Sequence, residues 1–290
     1  MRFLINILRP ILHTVLPKNR LGDKIYSFIN FIINHRGRFP KNRMLFNDYM
    51  YKMKTSNEIV NPLRVFITDK EFGKMYTRFI IGYEFNVPTL KILRTYKEVL
   101  NYKFPSRCVI KPTHMSGHLI IKKEEDDVDL KKIKKWFSMN FYDRSREVNY
   151  KTLTPKVIVE EVIFNENNIK DYKFFCYKGV PKLISVDIDR YVNKGKNHQR
   201  KYLNTSWIDQ NFSILYPRYE KNIDKPSNLN SMLSAVTNIA TSTNLDFIRI
   251  DTYTNNQKFF IGELTNLHGN ASEHFYPPFG QLSASKTLFE

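Results

Sequence analysis

The chain predicts an α+β fold, and three observations carry that expectation. Its first sixty residues repeat apolar side chains at helical spacing, three later segments read strand, turn, strand, and Asn228 to Thr243 forms an isolated helical stretch. With 290 residues, 42% hydrophobic and 14% aromatic, there is enough apolar material for one large domain or two to three lobes.

Taken in order, Leu4, Ile5, Leu8, Ile11, Leu12, Val15 and Leu16 recur at helical spacing among Arg2, Arg9, His13, Lys18 and Arg20, with Pro10 interrupting. Such a basic amphipathic helix either lies on a membrane surface or docks its stripe on the protein's own core. Arg9 and Pro10 split the apolar stretch and no small-residue cleavage site follows, so a secretory signal is not expected and cytoplasmic residence is the default. From Leu21 to about Val60 the pattern stays helical and basic. Leu63 to Ile67 reads as a short strand, Thr68 or Asp69 as the N-cap of a helix running toward Tyr83, and Pro88 as the start of an extended segment.

Cys108 to Ile110 forms a strand leading to Lys111-Pro112, a polar turn from Thr113 to His118, and a returning strand from Leu119 to Ile121. A lysine at a strand end beside Ser116 and Gly117 suits a phosphate, held by an ammonium and by backbone N–H groups that glycine lets approach. It is not a Walker A motif. Glu124 to Asp129 reads as charge at the N-terminus of a helix from Leu130 to Phe141, without chemistry. Val157 to Ile163 is a buried strand carrying Glu160 and Glu161, and Asp171 to Asp187 a hairpin turning at Lys178-Gly179.

The last hairpin, Phe247 to Asp251 and Phe259 to Asn266 around Asn255-Asn256, puts Asp251 beside Glu263. Paired carboxylates are oxygen ligands for Mg²⁺, which shares one or two of them with substrate phosphates. Cross-strand ion pairing with Arg249 accounts for the same pattern equally well. Lys and Arg total 46 against 28 Asp and Glu, a formal net charge of +18. The excess favours polyanionic partners, though abundant Lys, Asn, Ile, Phe and Tyr indicate compositional drift, and nucleic acid is discounted. Cys108 and Cys176 each sit in an apolar run and read as small buried hydrophobes. His114 and His118 read as phosphate or substrate contacts or as surface imidazoles without a role, and Asp187, Asp189 and Arg190 as facing the acceptor or, more readily, as a strand-end ion pair. Asp187-Ile188-Asp189 also matches a short glycosyltransferase-like Asp-x-Asp.

In this order, Asp69-Lys70, Val109-Ile110-Lys111-Pro112 with Ser116-Gly117, Val159-Glu160-Glu161, Arg249-x-Asp251 and Gly262-Glu263-x-Thr265 resemble the ATP-grasp superfamily. Arg146-Glu147 with Tyr150-Lys151, then Pro155, Ile158 to Glu161, and Asp171 to Phe174 are similar to the TupA-like ATP-grasp proteins of surface-polysaccharide clusters. The resemblance spans about Asp69 to Gly269. It implies an ATP-grasp fold, two α+β lobes whose antiparallel sheets clamp ATP, after an N-terminal helical segment at 1–66, with lobes at 67–163 and 164–290.

It also implies a carboxylate–amine ligase using ATP and one or two Mg²⁺ or Mn²⁺ ions. The substrates would be an amino acid or peptide amine and a uronic-acid carboxylate on a nucleotide sugar or lipid-linked glycan. By the same resemblance Lys74 and Lys111 meet ATP phosphates, and Ser116 and Gly117 belong to the closing loop. Glu160, Glu161 and Ile163 form the adenine hinge, Asp171 meets ribose and Lys173 a further phosphate. Arg249 faces the transferring phosphoryl group, while Asp251, Glu263 and, in place of the usual Asn, Thr265 bind metal. A sugar kinase, a glycosyltransferase and a non-catalytic nucleotide-binding protein are the alternatives.

Overall fold

The computed structural model describes residues 11–41, 43–164, 170–190 and 196–290. Helices at Arg20–Asn34 and Phe46–Thr55 open the chain, followed by Pro62–Thr68 and Lys70–Ile81. The Pro62–Thr68 helix replaces the strand expected over Leu63 to Ile67: Asn61 caps it, its side chain accepting from Leu63 N at 2.9 Å, and Pro62 begins it. Four apolar residues around Arg64 fit either period, and the cap and N-terminal proline decide. Asp69 caps the next helix, accepting from Glu71 N, and Gly82 closes it.

A four-stranded antiparallel sheet runs β1 (Thr89–Leu93), β4 (Val157–Glu160), β2 (Cys108–Pro112), β3 (Ile120–Lys122). Its core packs Ile110, Val157 and Val159 against Ile133 and Trp136 of the Leu130–Ser138 helix. The larger antiparallel sheet runs β10 (Phe259–Thr265), β9 (Phe247–Thr254), β5 (Asp171–Tyr177), β6 (Val180–Ile188), β7 (Gln199–Asn204). A short pair, β8 (Ser213–Ile214) with β11 (Phe275–Tyr276), forms a third sheet whose Ile214 and Phe275 pack with Phe175 and Tyr202 of the larger one.

Alternation sorts the five-stranded sheet into two faces. Tyr172, Phe174, Cys176, Ile248 and Ile250 share one core with Met232, Val236 and Ile239 of the Leu229–Thr243 helix. Phe175, Leu183, Tyr202 and Phe247 begin the opposite face under Phe46, Met50 and Leu288. Further along that second face, strand parity brings Asp171, Lys173, Asp187, Arg200, Arg249 and Asp251 into one block, all but Arg249 at most 5% exposed. Buried charge on a sheet face has to be paired, so this end of the sheet is where a site is built.

The amphipathic N-terminal stretch lies only partly within the described residues, since 1–10 fall outside them. Residues 11–15 are helical, with Ile11 50% and Val15 72% exposed. This part is held through its backbone, with Leu12 and Leu16 half-buried: Arg146, itself 0% exposed, donates to the carbonyls of His13, Leu16 and Pro17 at 3.1, 2.8 and 3.0 Å. No described helix is long and apolar enough to cross a membrane.

Candidate functional site

A cavity of about 590 Å³ opens between the two sheets. Val109 and Lys111 of β2, Leu119 and Ile121 around β3, and Tyr253 of β9 wall it, and Glu160 to Ile163 form its back. Gly262 lets the Tyr253 ring cross β10, because a Cβ there would lie 2.4 Å from the ring. Glu124, Glu125 and Asp126 edge the same cavity. Only Asp129 of that acidic run caps the following helix, accepting from Lys132 N at 2.8 Å, so the reading of the whole run as helix-terminal charge is corrected.

Two of the expected phosphate lysines meet at one carboxylate. Lys74 from the Lys70–Ile81 helix and Lys111 from β2 both pair with Glu160, Lys111 at 2.7 Å. Burial would raise the Glu160 carboxyl, but Lys111 and Lys74 outweigh it and hold the group below its usual range. Burial, with Lys111 opposing Glu160, lowers the Lys74 ammonium. Glu160 therefore contributes its side chain as the common anchor of both lysines, while Glu161 and Ile163 line the cavity.

On the facing sheet, Glu263 lies opposite Asp251 in the β9–β10 register, after an irregularity between Ile261 and Glu263. Arg249 spans the neighbouring positions. Its guanidinium donates to both Asp251 oxygens at 2.6 and 2.8 Å and to Thr265 Oγ1 at 3.0 Å, and it meets His268 Nδ1 at 2.7 Å. Burial, then Arg249, pushes the His268 imidazole well below its ordinary value, so the ring is neutral and Nδ1 accepts. Glu263 pairs with Lys70 at 3.1 Å, and Lys70 also donates to the Met115 carbonyl of the phosphate turn at 2.6 Å. Burial would raise Glu263, yet Lys70, Arg249 and Lys111 hold it low. Lys111 of one sheet thus acts on a carboxylate of the other.

The expected residues divide on this geometry. Lys74, Lys111, Glu160, Arg249, Asp251 and Glu263 come together, and Ser116 and Gly117 sit on the turn beside them, Gly117 at φ +76. Asp171 and Lys173 pair with each other inside the charged block, where Lys173 also reaches Asp187 at 3.1 Å and Asp251 at 3.7 Å, and Arg190 pairs with Asp171. Neither lines the cavity. Thr265 Oγ1 is engaged by Arg249, and Asn266 turns away to Thr68 Oγ1 and the Arg64 carbonyl at 2.8 and 2.9 Å. His114 is not a surface imidazole: it is 2% exposed, with Nε2 at 3.0 Å from the Trp136 carbonyl. Asp187 is the ion pair expected, held by Lys173, Arg190, His198 and Arg200. Cys108 and Cys176 are buried and free, their thiols raised by burial.

Among the described residues no three His, Cys, Asp or Glu side chains cluster as metal ligands. The Asp251–Glu263 pair still fits Mg²⁺, whose remaining positions go to phosphate oxygens and water. The sequence names Lys70 in the Asp69-Lys70 motif without a role and His268, with Gly269, only as a shaper of the acceptor pocket; the structure sets Lys70 on Glu263 and His268 on Arg249. Lys70 directly follows its helix cap, a position that aims its side chain back over the turn, and that spacing is the one signal available.

Ser116 and Gly117 line a second cavity, about 640 Å³, and not the first. His13, Tyr26 and Asn30 of the N-terminal segment, Arg144 and Glu147, and Asn270 and Ser272 face it. Burial pushes the Glu147 carboxyl up to about 7, against the pull of Lys54, and burial lowers the Lys54 ammonium to about 8. A carboxyl raised in the fold binds more protons there than in the unfolded chain, so its stabilising contribution is full below about pH 4.5 and is lost as pH rises through about 7. Denaturant unfolding at pH 5 and pH 8 should show the wild type losing stability relative to Glu147→Gln across that window. A constant difference would show that Glu147 titrates normally.

The sequence model of the family described as TupA-like ATPgrasp matches residues 50–279. No curated protein matches the chain. Solved structures that match include an L-amino acid ligase from Bacillus licheniformis (12% identity, TM-score 0.49, 91% of this chain and 62% of that one). Others are D-alanine–D-alanine ligases from Helicobacter pylori (13%, 0.43, 78% and 60%) and, complexed with ATP, from Bacillus anthracis (15%, 0.39, 70% and 55%). The chain thus spans less than two thirds of the length of each.

Proposed function

Since the chain belongs to the TupA-like ATP-grasp family, we propose that it is an ATP-dependent carboxylate–amine ligase of surface-polysaccharide synthesis, joining an amino acid or peptide amine to a uronic-acid carboxylate. A carboxylate oxygen of the acceptor attacks the γ-phosphorus of ATP and ADP leaves. The amine nitrogen then attacks the acyl phosphate carbon, inorganic phosphate departs, and the nitrogen gives up a proton to leave the amide. The observation that carries this reading is the convergence of Lys74 and Lys111 on Glu160 at a cavity mouth that faces Lys70, Glu263 and Arg249.

Phosphoryl transfer depends on positioning and on cations that neutralise the transferring oxygens. Here Lys74 and Lys111 hold phosphate oxygens once these displace Glu160, Arg249 meets the γ-phosphoryl group, and Glu161 to Ile163 line the base. Asp251 and Glu263 would hold Mg²⁺, which supplies charge neutralisation between the phosphates. Lys70 ties Glu263 to the Met115 carbonyl, so the phosphate turn and the metal-binding strand keep their spacing.

Thermal unfolding with a non-hydrolysable ATP analogue and Mg²⁺ tests the reading. At a hundred times its dissociation constant the ligand should stabilise the wild type by about 2.7 kcal/mol. The Mg²⁺-dependent part should vanish in Asp251→Asn and Glu263→Gln. Stabilisation by UDP-sugars in place of the analogue would overturn the ligase and favour a glycosyltransferase, and a phosphoester product instead of an amide would favour a kinase.

A further inference from the structure

We propose, resting on the ligase reading above, that the cavity behind Ser116 and Gly117 binds the amine substrate as an α-amino acid, with Glu147 taking its ammonium group and Arg144 its carboxylate. The local chain explains why both side chains face one space. Arg144 lies in the Phe141–Ser145 helix, which ends at Arg146 in a left-handed conformation, φ 53 and ψ 30. Past that reversal Arg146 points inward to Asp23 and the N-terminal carbonyls, and Glu147 lines the cavity with Arg144.

Glu147 is 7% exposed and borders this cavity, and its carboxylate makes no ion pair or hydrogen bond among the described residues. The nearest cation, Lys54, is committed to the Ser145 carbonyl at 3.0 Å and to Asn270 Oδ1. A buried carboxylate costs free energy unless a donor answers it, and an ammonium from solution is the donor that this cavity admits. Arg144, exposed and three residues away, offers a planar fork for a carboxylate. An α-amino acid carries both charges in one small molecule.

The position suits the chemistry proposed. Ser116 and Gly117 line this cavity from the turn that follows Lys111, and the carbonyl of Met115, just before them, holds Lys70, the partner of Glu263. Neutral donors and acceptors from Asn30, Asn270 and Ser272 complete the lining.

The test titrates the common L- and D-amino acids by calorimetry into full-length wild type, Glu147→Gln and Arg144→Ala, each saturated with the ATP analogue and Mg²⁺. At least one amino acid should bind the wild type and weaken about tenfold to a hundredfold in each variant, the loss expected for a charged hydrogen bond. Its primary amide should bind Arg144→Ala as it binds wild type. If the analogue binds wild type but no amino acid does, or if binding is equal in all three proteins, this inference fails while the ATP site stands. If the analogue itself fails to bind wild type, the ligase reading falls and takes the inference with it. Arg144 is exposed, so its variant keeps the test decisive should Glu147→Gln unfold.

Discussion

Arg249→Ala should cut ADP release about a thousandfold, the scale of losing a cation aimed at a transferring phosphoryl group. The side chain is held at four points, two on Asp251, one on Thr265 and one on His268, all between 2.6 and 3.0 Å. An arginine so fixed pays no reorganisation when charge develops beside it. Lysine cannot reproduce the fork, so Arg249→Lys should recover little of the rate. Single-turnover ADP release measures the effect, and the analogue-induced thermal shift should persist because Lys74 and Lys111 remain. A variant within tenfold of wild type would remove Arg249 from the chemistry.

The second large effect is on stability. Arg146→Met should cost about 3–5 kcal/mol, because it strands a buried partner. Asp23 is 3% exposed, accepts from Arg146 at 3.0 Å, and among the described residues keeps only the Tyr142 hydroxyl at 2.7 Å once the guanidinium is gone. Three backbone carbonyls of the N-terminal segment lose their donor in the same step. The unfolding midpoint should fall by roughly 10 °C, and Asp23→Asn in the Arg146→Met background should restore part of it by removing the stranded charge. A loss below about 1 kcal/mol, the usual worth of an exposed pair, would show that the carbonyls find water instead.

Legibility from sequence followed the range of the interaction. The Asp251–Glu263 pairing was readable because a hairpin with an Asn-Asn turn sets its own register, and Asn256 takes the left-handed conformation the turn needs, φ 73. Lys111 at the end of β2 was readable from strand, turn and strand within fourteen residues, and the order of such motifs along the chain matched one family. The Leu63–Ile67 segment was misread because four apolar residues around Arg64 satisfy two periods at once.

Other features were decided by packing. Glu160 anchors Lys74 across 86 residues, and Arg146 finds the Pro17 carbonyl across 129. His114, on the turn after β2, is buried against the Leu130–Ser138 helix, whose Trp136 carbonyl meets its ring. Local pattern thus determined which elements form and which carboxylates pair, since turn chemistry and side-chain period act within about ten residues. Only the tertiary structure decided which lysine meets which carboxylate, and that Glu147 opens onto a cavity, because desolvation and Coulomb energy depend on what the whole fold brings within a few ångströms.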